Sequence, residues 1–87
     1  MAPTFDPGKD RENRRKHGVS LARFADLTRR YAIYSPRAGE DRWIVLGFLD
    51  GTLHTGIMTR RDGDVRPISL RRASRHERQE YARVYPD

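Results

Sequence analysis

The chain has no cysteine. That removes any disulfide framework and any thiolate metal site, and it fits a reducing compartment, so a cytoplasmic location is expected. No apolar run approaches the ~20 residues that a bilayer-spanning helix needs. The N-terminal stretch lacks the apolar core of a secretion signal, so export is not expected. Lysine is scarce: of 18 Lys and Arg residues only Lys9 and Lys16 are lysine. Acids number 12 against those 18 bases, and the formal net charge is +6. A surplus of that size in 87 residues points to a polyanion or an acidic protein as partner. Apolar residues make up 36% of the chain and charged residues 34%. They are clustered, so a folded chain is expected rather than a disordered one. The length fits one domain, residues 1–87.

Several chemistries are also missing. The histidines and acids show no ligand spacing such as H-E-x-x-H, so no metal and no cofactor are expected. There is no glycine-rich phosphate loop and no Ser or Cys nucleophile constellation. No helix pair reads as a helix-turn-helix with an exposed recognition helix, which argues against direct DNA binding.

What is there begins with an oddity. The stretch Arg11-Glu12-Asn13-Arg14-Arg15-Lys16-His17-Gly18 is entirely without apolar side chains. Asp6-Pro7 nevertheless reads as a helix entry and Gly18 as its stop, which predicts a helix over 7–17. Lys9, Asn13, Lys16 and His17 fall on one face of it. Ser20 caps a second helix over 21–28, with Leu21, Phe24, Ala25 and Thr28 toward a core. Tyr31–Ser35 is β-prone. Arg42–Leu49 is almost continuously apolar, as a central strand covered on both faces is. Asp50-Gly51 and Asp62-Gly63 are two-residue hairpin signals. They bound strands over 52–61 and 64–71. Pro67 cannot donate to a ladder and belongs where its nitrogen faces away from a partner. Ser74 and Glu77 form a capping box that opens a last helix running to about Tyr85. The order predicts an α+β domain: two N-terminal helices, a four-stranded antiparallel meander and a C-terminal helix.

The two turns also predict register. Counting from them sets Arg42 opposite Thr59 and Arg66, and Glu40 opposite Arg61 and Asp64. Below those rows the same face carries Ile44–Ile57–Ile68 and Leu46–Thr55–Leu70. Arg71 falls on the other face. A charged lip of three arginines and Glu40 therefore ends an otherwise apolar face. Cross-strand ion pairs on a solvated sheet end would explain it. So would a phosphate site, since planar guanidiniums suit that anion.

The residues around these positions resemble a known family. Phe5-Asp6-Pro7, Lys9, Asn13 and Lys16-His17-Gly18-Val19-Ser20 are similar to the opening of BrnT-type toxins. The segments GEDRWIVLG and RPISLRRASRHERQEY resemble its middle and end. Phe5 stands where tryptophan is usual, Arg60-Arg61 where Glu-Arg is common, and Pro67 where isoleucine is usual. The resemblance implies a RelE-like fold with helices packed to one side of the sheet, and cleavage of RNA. It also implies a cognate BrnA-like antitoxin with a ribbon-helix-helix part, the pair acting on operator DNA through that antitoxin. The ribosome is a further partner the resemblance leaves open.

RNA cleavage without a metal needs a base for the 2′-hydroxyl, cations on the phosphate and an acid for the leaving oxygen. Arginine supplies the cation but not the base. Glu77 is taken by the capping box, His54 is expected at the surface, and His76 sits in a first helical turn where positive charge is disfavoured. Glu40 and His17 remain as base and acid, and the sequence does not choose between them. Arg61 and Arg71 are the expected phosphate-stabilising pair. Lys9, Lys16, Arg42, Arg66, Arg75 and Tyr81 are expected to contact RNA. A non-catalytic RNA- or ribosome-binding module would use the same basic surface.

Overall fold

Asp6 accepts a hydrogen bond from the Gly8 N–H at 2.7 Å and caps the helix that Pro7 starts. Gly18, at φ 72°, ends it in the left-handed conformation that glycine adopts without strain. Helix α1 thus spans Pro7–His17, as predicted. The structure is a computed structural model that describes residues 5–86.

The second helix is different from the expectation. Ser20 caps it, but Leu21–Asp26 is a 3-10 helix of six residues, and no α-helix reaches Thr28. The reason lies in spacing. Leu21, Phe24 and Leu27 recur every third residue, and three residues make one 3-10 turn. All three are then buried on one side, at 0%, 1% and 5% exposure. Thr28 is left to start a strand.

The sheet has strands β1 (Thr28–Tyr34), β2 (Arg42–Leu49), β3 (Thr52–Arg61) and β4 (Asp64–Arg72), in that order and antiparallel. Both Asp-Gly turns have positive φ at both residues, the hairpin geometry that matches strand twist. The β2–β3 register is the predicted one, from Leu49–Thr52 to Arg42–Thr59. The β3–β4 register holds from Arg61–Asp64 through Thr59–Arg66 to Met58–Pro67 and then slips. Ile57 faces Ser69, not Ile68, and Thr55 faces Arg71, not Leu70. One extra residue beside Pro67 forms a bulge on an edge strand, where a residue without an N–H is tolerated. Every side chain beyond it changes face. Leu70 joins the 3-10 helix side, and Arg71 crosses to the other.

Both faces of the sheet are covered. Val45, Leu49 and Leu70 pack with Leu21, Phe24 and Leu27 on one face. Leu46 and Leu53 pack with Ala73 and Tyr81 on the other, under helix α2 (Arg75–Val84). The one-sided arrangement implied by the family resemblance is therefore corrected; the continuous apolar run of β2 already required cover on both faces. Gly56 lies directly against the Phe24 ring on the first face. A Cβ there would lie 2.4 Å from the Phe24 ring. Gly56→Ala is expected to cost about 2 kcal/mol by overpacking, read as a lowered thermal midpoint. An unchanged midpoint would mean that the Phe24 ring can yield.

Helix α1 buries only Asp10 and Asn13. The Asn13 amide nitrogen donates to the Leu70 carbonyl (2.7 Å) and to the Val19 carbonyl (2.8 Å). Its carbonyl oxygen accepts the Leu70 N–H (3.0 Å). Asp10 accepts from the Leu21 N–H and the Ser20 hydroxyl. The polar helix thus lies along the outer edge of β4, and Asn13 satisfies the outward peptide groups of Leu70 as a neighbouring strand would with backbone.

Candidate active site

A third tight turn sets the site. Arg37 and Glu40 exchange backbone hydrogen bonds of 3.0 and 2.8 Å around Ala38-Gly39, both with positive φ. The sequence reads this segment as a plain loop, because alanine gives no signal for a left-handed position. The turn brings the Glu40 carboxylate to the lip of the sheet. The Arg42 Nε donates to it at 2.9 Å, and Arg61 Nη2 lies 3.9 Å away.

Lys9 arrives from α1 around the β4 edge. With Glu40, Arg42, Arg61 and Arg66 it lines a cleft of about 290 Å³ floored by Pro67 and Ile68. Phe5 and Asp6 complete the wall. Four cations thus meet two carboxylates, and Asp6 is committed to capping α1. The Arg66 Nε is buried and has no hydrogen-bond partner among the described residues. An unpaired donor on a guanidinium that lines a cationic cleft suits an anion, whose oxygens such a planar group holds in pairs. The Arg42 hydrogen bond, reinforced by the charges of Arg61 and Lys9, outweighs partial burial and holds Glu40 below the usual carboxylate range. Glu40 is ionised at neutral pH.

Arg71 lies on the same face, brought there by the bulge. It faces Thr55, four residues along β3 from Thr59, which faces Arg66, a span of about 13 Å. Half-buried Ile44 and Ile57 lie between. Arg71 is not free. Its two terminal nitrogens donate to the two Glu77 oxygens at 2.7 and 2.8 Å. Glu77 also accepts from the Ser74 N–H and the Thr55 hydroxyl. The Arg71 hydrogen bonds, helped by those of Ser74 and Thr55 and by the Arg71 charge, overcome burial and hold the Glu77 pKa down to about 2. The capping box is present as predicted. The pairing with Arg71 is not legible in the sequence, since a strict two-residue count points Arg71 the other way.

The remaining expected residues separate from this cleft. His17 lies at the far end of α1, beside His54, Arg72 and Asp50. His54 is buried, not at the surface, with its ring Nδ1–H donating to the Thr52 carbonyl at 2.8 Å. Tyr81 is not available to stack on a base. It is 6% exposed, its hydroxyl donates to the Arg29 carbonyl at 2.7 Å, and its ring packs edge-on to Phe48. Its spacing on α2 is that of a core residue. Lys16 is exposed and paired with Glu12 at 3.6 Å, and Arg75 is exposed at the start of α2. No group of three or more His, Asp or Glu side chains converges as metal ligands would among the described residues. No helix there is long and apolar enough to cross a membrane.

Residues 5–77 match the family model of the ribonuclease toxin BrnT of type II toxin–antitoxin systems. No curated protein sequence matches the chain. Among solved structures it is similar to the crystal structure of the Brucella abortus ribonuclease toxin BrnT, with 25% identity and a TM-score of 0.71 over 86% of this chain and 99% of that one. The family match covers the α1 face, the Glu40 hairpin, the arginine lip and the Arg71–Glu77 pair together, and the chain belongs to the BrnT family of ribonuclease toxins.

Proposed function

We propose that the chain is an endoribonuclease toxin that cuts RNA without a metal ion at the Lys9–Glu40–Arg61 cleft and so inhibits translation. The observation that carries this reading is the convergence of Lys9, Arg42, Arg61 and Arg66 on one ionised carboxylate, with the Arg66 Nε unpaired. Arg61 and Arg66 hold the non-bridging phosphate oxygens as negative charge builds on the phosphorus. Glu40 takes the 2′-hydroxyl proton. Its lowered basicity is offset by its position, since a base acts only within hydrogen-bond reach of the proton. Lysine, unlike arginine, can give up a proton, and Lys9 is the donor to the leaving 5′-oxygen. Ile44 and Ile57 offer an apolar floor for a base. Arg71 and Arg75 extend the phosphate track toward α2, with Arg71 held in place by Glu77. A ribbon-helix-helix antitoxin neutralises the toxin and carries the pair to operator DNA.

The test is induction of the chain in a bacterial host beside Arg61→Ala and Glu40→Gln, followed by cleavage assays on purified protein with and without a chelator. The parent is expected to arrest growth and fragment RNA in either buffer. Arg61→Ala is expected to cleave about 100-fold more slowly with an unchanged melting temperature, because Arg61 is exposed. Undiminished cleavage by Arg61→Ala would overturn the site. RNA bound but left intact by the parent would make the chain a binding module.

A further inference from the structure

The two edges of the sheet are closed differently. At β4 the outward N–H and C=O of Leu70 are taken by Asn13. At β1 only the first half is closed. The Tyr81 hydroxyl donates to the Arg29 carbonyl and the Tyr85 hydroxyl to the Arg30 carbonyl. Ser35 donates its N–H to the Arg42 carbonyl at 2.7 Å. That fixes the alternation: Tyr31, Ile33 and Ser35 turn their backbones toward β2, and Ala32 and Tyr34 turn theirs outward. Among the described residues nothing bonds to the outward groups of Ala32 or Tyr34. No lysine, proline or bulge guards the stretch. The bulge lies earlier, between Thr28 and Tyr31, and Pro36 comes after it. Tyr34 is 55% exposed and leans on Trp43, with ring centres 5.2 Å apart.

Alternating free N–H and C=O groups are complementary to an extended peptide, not to RNA. Charge says which peptide. Arg29 and Arg37 flank the stretch, are exposed, and form no ion pair among the described residues, whereas the Arg30 guanidinium donates to the carbonyls of Phe24, Ala25 and Leu27. A second copy would bring one surplus of +6 against another. We propose that β1, from Tyr31 to Ser35, receives an acidic extended segment of the antitoxin as a fifth strand. The inference rests on the toxin–antitoxin reading above. A strand laid there ends beside Tyr34, whose hydroxyl is bonded to Asp41, the neighbour of Glu40. Carboxylates that follow it would reach the arginine lip, so pairing at the edge also delivers the charge that masks the cleft.

Residue-resolved amide hydrogen exchange, measured on the free toxin and on its complex with the purified antitoxin, tests this. The Ala32 and Tyr34 N–H groups are expected to exchange fast in the free chain and to become protected in the complex. Ala32→Pro removes an outward donor and leaves the β2 ladder intact. It should weaken antitoxin binding by about 10-fold or more while the free variant still cuts RNA at the parental rate. Binding without protection at Ala32 and Tyr34 overturns the proposal and leaves the toxin–antitoxin reading standing. That measurement decides alone if Ala32→Pro does not fold. A free toxin that sediments as a dimer with those amides already protected assigns the edge to a second copy and overturns it too. An antitoxin that does not bind the parent removes both readings.

Discussion

Asn13→Ala is expected to destabilise the chain by about 4 kcal/mol, because it strands two buried peptide groups and each costs about 1–3 kcal/mol when left unpaired. The side chain is 5% exposed and makes three hydrogen bonds, two of them to the N–H and C=O of Leu70. Leu70 is fully buried, so water has no open route to replace them. In a chain of this size that loss lowers the thermal midpoint by roughly 15 °C or more. It is also a large share of the 5–15 kcal/mol that typically holds a domain together. Asn13→Asp is the sharper variant. Its carboxylate still accepts the Leu70 N–H but meets the Leu70 carbonyl with a second acceptor, so it should fall nearly as far. Lys16→Ala, on the solvated side of the same helix, should change stability by less than about 0.5 kcal/mol. A loss below about 1 kcal/mol for Asn13→Ala would show that water reaches the β4 edge and that α1 does not close it.

That edge also explains what was legible in the sequence. The caps of α1, the two Asp-Gly turns and the β2–β3 register follow from local chemistry, and one count from each turn gives the Glu40–Arg42–Arg61–Arg66 lip. The polar character of α1 is equally plain. Its purpose is not, because periodicity looks for an apolar stripe and this helix docks through Asp10 and Asn13. For the same reason nothing in the spacing brings Lys9 to Glu40. Only the path of α1 along β4, fixed by Asn13, carries Lys9 around the edge. His17 and Lys9 share a helix face but sit at opposite ends of it, so a one-dimensional pattern groups residues that the cleft separates. The bulge at Pro67 is the other hidden step. Proline without an N–H was a visible warning, yet only the paired strand shows where the extra residue falls, and with it the face of Arg71.

Glu77→Ala is the second large effect, and its size depends on pH. Glu77 accepts from Arg71 twice, from Thr55 and from the Ser74 N–H, and its side chain is 21% exposed. Its pKa of about 2 in the folded chain lies well below the ordinary 4.5. A carboxylate depressed in this way stabilises the fold fully above its unfolded pKa. It loses that contribution as pH falls from about 4.5 toward 2. The shift corresponds to about 3 kcal/mol at neutral pH, and losing the capping box acts in the same direction. Urea unfolding at pH 7 should therefore show Glu77→Ala weaker by about 3 kcal/mol, with a Glu77→Gln variant between it and the parent. The gap should shrink as pH drops below about 4 and fall near pH 2, where the parent's own Glu77 takes up its proton, to the part that capping and packing contribute. Arg71→Ala should be milder, since Glu77 keeps its Ser74 and Thr55 partners, whereas Glu77→Ala leaves a half-buried guanidinium unmatched. A gap that stays constant from pH 7 to pH 2 would mean that Glu77 acts by packing and capping alone, and that the Arg71 pair contributes nothing to the fold.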